Sequence, residues 1–128
     1  MRFMMFMLPA GYEPTDADVS EMMAYNEELT KAGVLLALDG LQPPAKGARV
    51  SFGPDRKRTV TDGPFAEAKE VIGGYWIIQA KSKDEAVEWA SRCPASAGDT
   101  IEVRQVFEAE DFPNAPELSQ TPPEQTSA

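Results

Sequence analysis

Gly73-Gly74-Tyr75-Trp76-Ile77-Ile78-Gln79-Ala80-Lys81-Ser82-Lys83-Asp84-Glu85-Ala86-Val87-Glu88-Trp89-Ala90 holds a complete strand-to-helix transition. Residues 75–80 are a short run rich in aromatic and β-branched types behind two glycines, which predicts a buried strand. Ser82 followed by Glu85 has the form of a capping box, in which side chains satisfy the first free amides of a helix. Ala86, Val87, Trp89 and Ala90 supply the apolar face of that helix. Cys93-Pro94 ends it, because proline lacks an amide and crowds the preceding turn. Gly98-Asp99 then leads into a last strand at residues 101–107.

Upstream, residues 1–8 are apolar on both sides, as expected of a central strand covered on both faces. Thr15 or Asp16 caps a helix whose Asp16, Asp18 and Glu21 suit its positive N-terminus. Val19, Met22, Met23, Leu29 and Ala32 lie at helical spacing, with Lys31 in the last turn and Gly33 past the end. Residues 34–38 predict a second strand, closed by Gly40 and Pro43-Pro44. Residues 48–52 and 56–61 predict a hairpin around Gly53-Pro54-Asp55, with one face wet. Asp62-Gly63-Pro64-Phe65 reads as a turn. With the hairpin set aside, the order is β-α-β-β-α-β, the ferredoxin-like α+β arrangement. Two helices then cover one face of an antiparallel sheet. The other face also needs cover, so a homodimer is expected, two sheets face to face in a dimeric α+β barrel.

Composition narrows the chemistry. The chain has 128 residues, 12 basic and 21 acidic, for a net charge of −9. A domain this acidic lacks the basic face that nucleic-acid phosphates or anionic lipid require. No apolar run is long enough to span a bilayer. Histidine is absent, which removes the Ser-His-Asp triad, the Cys-His pair and the His-ligated metal site. No phosphate-loop pattern surrounds Gly73-Gly74, the methionines of the first strand lack a His or Cys companion, and no cofactor or metal is expected. Cys93 is the one cysteine. It sits where a helix C-terminus disfavours a thiolate, so it reads as inert, and it suits a reducing compartment. The apolar N-terminal stretch stops at Pro9, too short for a signal peptide, so the expected location is cytoplasmic. Residues 1–107 form the folded domain. Residues 108–128 carry Glu108, Glu110, Asp111, Glu117 and Glu124, no Lys or Arg, and four prolines. They read as an acidic tail, solvated or packing Phe112 or Leu118 on a partner subunit.

Thr61-Asp62-Gly63-Pro64-Phe65-Ala66-Glu67-Ala68-Lys69-Glu70, followed by Gly73-Gly74-Tyr75, resembles the signature of the DGPF-type branch of the YCII-related family. Ala32-Gly33-Val34-Leu35, Gly40-Leu41-Gln42-Pro43-Pro44, the segment from Glu85 to Pro94 and Ile101-Glu102-Val103-Arg104 agree with it. The resemblance implies the ferredoxin-like fold and the dimeric barrel. It also implies a sensory or regulatory setting, because members of that branch are often encoded beside extracytoplasmic-function sigma factors. The wider family's His-Asp pair counts to positions near Met22 and Cys93, so it cannot be carried over to this chain.

The remaining candidates are ionisable. Asp62 is either a general base or polar anchor in a pocket, or the first residue of a turn whose carboxylate accepts backbone amides. Glu67 and Lys69 share a side if extended, whereas a helical turn makes Glu67 and Glu70 neighbours. They form either a carboxylate–lysine site for a small zwitterion or carbonyl, or a solvated ion-pair loop. Glu102 and Arg104 share one face of the last strand, opposite Ile101 and Val103. They form either a paired interface network, with Arg2 and Asp62 as further partners, or a pocket for an anionic or polar ligand. Tyr75 and Trp76 face opposite ways, one in the core and the other free to line a cleft, and Trp89 is expected in the core. Together these readings favour a dimeric small-molecule-binding or regulatory module over a small cofactor-independent enzyme working through Asp62.

Overall fold

The computed structural model describes residues 1–11, 16–63 and 71–114, with side chains from residue 18 onward in the first helix. Its elements are β1 (Arg2–Leu8), α1 (Asp16–Lys31), β2 (Leu35–Gly40), β3 (Ala48–Phe52), β4 (Arg58–Asp62), β5 (Gly74–Gln79), α2 (Lys83–Ser91) and β6 (Thr100–Gln105). Four strands form one sheet in the order β2-β5-β1-β6, antiparallel throughout. That order, with one helix in each crossover, is the ferredoxin-like α+β fold. Among the described residues β3 and β4 pair with each other alone, as a separate two-stranded ribbon.

The period-two geometry of a strand sends alternate side chains to opposite faces. Phe3 and Met5 of β1 and Trp76 and Ile78 of β5 therefore point together at the helices, where Tyr25, Leu29 and Ala86 complete a buried core. Each large apolar side chain so buried contributes roughly 1.5–3 kcal/mol. The Tyr25 and Trp76 rings meet edge to face at 5.8 Å, and the Tyr25 hydroxyl donates to the Trp89 carbonyl at 2.7 Å. That bond ties α1 to the end of α2. Burial, the main cause, pushes the Tyr25 phenol well above its ordinary pKa.

Several expectations need adjusting. On α1 the inward residues are Met22, Tyr25, Asn26 and Leu29, whereas Val19, Met23 and Ala32 are exposed. The stripe is rotated because Tyr25, whose hydroxyl finds a carbonyl, takes the central position. On α2, Ser82 is the N-cap and accepts from the Glu85 amide at 3.1 Å, but the Glu85 carboxylate turns to the Lys81 amide at 3.4 Å. Half of the capping box therefore forms. Trp89 sits at the edge of the core, with the Arg92 guanidinium 4.7 Å over its ring. Among the described residues the helices cover one face of β1, and Met4 and Phe6 on its other face are half-buried. The β3–β4 ribbon is wet on both faces, because no helix or second sheet among the described residues lies against it. The described chain continues past Phe107: Arg2 grips the Glu108 carboxylate through two bonds of 2.9 and 3.0 Å. That grip holds Glu108 below the usual carboxylate range.

Candidate functional site

The face of the main sheet turned away from the helices is organised in rows by the register. Asp39, Tyr75, Phe6 and Glu102 stand side by side across β2, β5, β1 and β6. The next row is Ala37, Ile77, Met4 and Arg104. Tyr75, Phe6, Ile77 and Met4 make an apolar centre, half-buried in the single chain, and charged groups stand at three of the four row ends, Asp39, Glu102 and Arg104. Glu102 and Arg104 are there together, as their spacing requires, in an exposed ion pair at 3.7 Å. Arg2 engages Glu108 instead of these two. An exposed pair of this kind contributes little by itself.

One end of the first row opens onto a cleft of about 170 Å³ between α1 and the β2–β5 pair. Met7, Met22, Leu38 and Trp76 form its apolar walls and Asn26 adds a polar group, while Asp39 and Tyr75 border it with side chains that belong to the sheet's other face. Two hydrogen bonds fix those groups. The Trp76 indole N–H donates to Asn26 Oδ1 at 2.7 Å, and the Tyr75 hydroxyl donates to Asp39 Oδ2 at 2.6 Å. The Asp39 carboxylate raises the Tyr75 phenol above its ordinary pKa. Gly73 and Gly74 also line the cleft, and a side chain at Gly74 would press within 2.9 Å of the Asp39 carbonyl. Glycine there permits the close β2–β5 approach that shapes this end of the sheet.

Behind the cleft, Cys93 Sγ lies 3.9 Å from Met22 Sδ. These are the two positions to which the His-Asp pair of the resembled family was counted, and here they hold a thiol beside a thioether. Burial, with Asp99 as a smaller cause, pushes the Cys93 thiol up to about 11. The pair therefore exchanges no proton near neutral pH. The inert thiol was expected, but burial and not the helix end is the main cause.

Of the other singled-out residues, Asp62 is the exposed last residue of β4, opposite Ala48 on the ribbon. It lies on a different sheet from Tyr75, Glu102 and Arg104. Glu67, Lys69 and Glu70 lie outside the described residues. Asn26 and Asp39 were not singled out from the sequence. Asn26 carried a readable signal, a poor helix former at mid-helix on the face of Met22 and Leu29. Asp39, a lone acid closing an apolar strand, looked like ordinary punctuation. Among the described residues no group of three or more His, Cys, Asp or Glu side chains is placed to hold a metal. Nor is any helix among them long and apolar enough to cross a membrane.

The model of the YCII-related domain matches residues 1–110. The chain belongs to the YCII-related family. A curated relative, Uncharacterized protein R00369 of Rhizobium meliloti (strain 1021), is 31% identical over 78 residues, which is 61% of this chain. The chain spans 62% of the length of that relative. The YCII-related match takes in all six strands, both helices and Glu108, the partner of Arg2.

Proposed function

We propose that this YCII-related chain, of the DGPF-type branch, works in the cytoplasm as a homodimer that binds a small polar molecule in the α1–β2–β5 cleft. The observation that carries the reading is the place of Tyr75. Its ring stands in the apolar centre of the sheet face turned away from the helices, and the same residue borders the cleft on the other side of the strand. Two sheets closed on each other would bury Met4, Phe6, Tyr75 and Ile77 and leave Asp39, Glu102 and Arg104 at the rim, the usual apolar-centre, polar-rim pattern of an interface. The same closure would shelter the mouth of the cleft. Its indole, thioether and leucine walls suit a short apolar body, Asn26 suits a hydrogen-bonding group on the ligand, and the Asp39 carboxylate beyond the strand edge suits a positively charged group that reaches past it. A binding role fits the groups present, since the Met22–Cys93 pair moves no proton. Lone Cys93 stays a thiol in a reducing cytoplasm.

Two measurements test this. Sedimentation of the full chain should give twice the 14.0 kDa mass, and Phe6→Asp should weaken the dimer by about thirty-fold or more, as losing a central interface anchor does. A wild type that stays at 14.0 kDa across the concentration range rejects the dimer. For the cleft, metabolites are screened by thermal shift and by Trp76 fluorescence. A true ligand at a hundred times its Kd stabilises by about 2.7 kcal/mol, and Asp39→Asn should abolish that shift. A ligand whose shift survives Asp39→Asn binds elsewhere. Turnover that is lost in Asp62→Asn would favour the carboxylate enzyme instead.

A further inference from the structure

An isolated two-stranded ribbon is marginally stable in water, and it persists where a third layer covers one face. Among the described residues no such layer lies on the β3–β4 ribbon, and every residue of both strands is exposed. Its two faces differ. Val50 stands opposite Val60, and Phe52 opposite Arg58, on one face; Ser51 with Thr59 and Arg49 with Thr61 occupy the other. The apolar stripe is 52% exposed at Val50, 67% at Phe52 and 66% at Val60. Half-apolar alternation of this kind belongs to a strand pair packed on something.

The ribbon is also held in shape. The Gly63 amide donates to the Gly47 carbonyl at its base, and the Gly53 amide to the Lys57 carbonyl at its tip, both at 2.9 Å. The Asp55 carboxylate accepts the Lys57 amide at 3.0 Å inside the tip. Such an arm loses little entropy on docking.

Charge selects the occupant. Residues 46–58 hold Lys46, Arg49, Arg56, Lys57 and Arg58, five of the chain's 12 basic residues, against Asp55 alone of its 21 acidic ones. The rest of the molecule is correspondingly acidic: α1 by itself has five acids to one lysine. A second copy is thus complementary to the arm. A nucleic acid or anionic bilayer is repelled by everything around the arm.

We propose that the β3–β4 ribbon is an arm that packs on a second copy of this chain, its Val50–Phe52–Val60 stripe supplying apolar contact and its Lys57–Arg58 end meeting that copy's acidic surface. This rests on the homodimer reading and adds the element that reaches across. The test is sedimentation of the full chain over a concentration series. Wild type is compared with the paired variants Phe52→Asp/Val60→Asp and Lys57→Glu/Arg58→Glu, circular dichroism verifying that each remains folded. Both pairs should raise the dimer Kd at least tenfold, and added salt should weaken wild type but not the charge-reversed pair. A wild-type dimer whose Kd moves less than threefold in both pairs overturns the arm and leaves the homodimer standing. A wild type monomeric throughout overturns both. Hydrogen exchange of the ribbon supplies an independent reading. Protection lost on dilution supports the second copy, whereas protection lost only on deleting residues 115–128 assigns the stripe to the chain's own tail and overturns the proposal.

Discussion

Leu29→Ala should lower the unfolding free energy by about 2–5 kcal/mol, the range for removing a buried leucine and leaving a partly collapsed cavity. Leu29 is fully buried, in one cluster with Phe3, Met5, Trp76 and Ile78. Its neighbours belong to paired central strands that cannot close inward without breaking the β1–β5 ladder. The loss therefore falls in the upper half of that range. Domains of this kind are stable by only about 5–15 kcal/mol, so the variant should unfold at a much lower urea midpoint with an unchanged m value. Both proteins are compared at one concentration, because association adds to apparent stability. Met23→Ala, on the exposed side of the same helix, is the control and should stay within about 0.5 kcal/mol. Equal losses at the two positions would mean that the core face of α1 is not the one described.

Gly63→Ala should undo the base of the β3–β4 ribbon. A Cβ at Gly63 would fall on the Pro44 carbonyl oxygen and within 2.6 Å of its carbon. Both are backbone atoms, which cannot rotate away as a side chain can. Relief requires Gly63 to separate from Pro44, which breaks the bond from its amide to the Gly47 carbonyl. Overpacking of this type costs about 1–3 kcal/mol, and with backbone as the neighbour the upper end is expected. The effect should be local. Amides of β3 and β4 should lose exchange protection and shift in NMR spectra, while those of β1 and β5 keep theirs. A ribbon with wild-type shifts in Gly63→Ala would show that the contact with Pro44 is not real.

Gly63 also illustrates where reading along the chain stops. Within Asp62-Gly63-Pro64-Phe65 it looked like a turn glycine, chosen for conformational freedom. Its backbone is ordinary, since the positive-φ glycines are Gly33 and Gly98. What demands glycine is Pro44, 19 positions earlier, which no local pattern reveals. Trp76 and Tyr75 were separable in advance, because neighbours on a strand must face opposite ways. Which one faced the core was settled by Tyr25 and Asn26 on another element. Asp39 is the clearest omission: its role depends on Tyr75, the residue that pairing sets directly opposite it. For Cys93 the helix end was legible along the chain, whereas the burial that raises its thiol came only with the fold.

The order of strands and helices, the pairing of Glu102 with Arg104 on one face and the lack of any histidine chemistry follow from residue types and short periods, which act between near neighbours. The rotated stripe of α1, the cleft with Asn26 and Asp39, the Arg2–Glu108 clasp and the bare apolar ribbon came only with the folded chain. Those features join residues tens of positions apart, and their partners are chosen by how the sheet and helices close on one another. No local propensity encodes that closure.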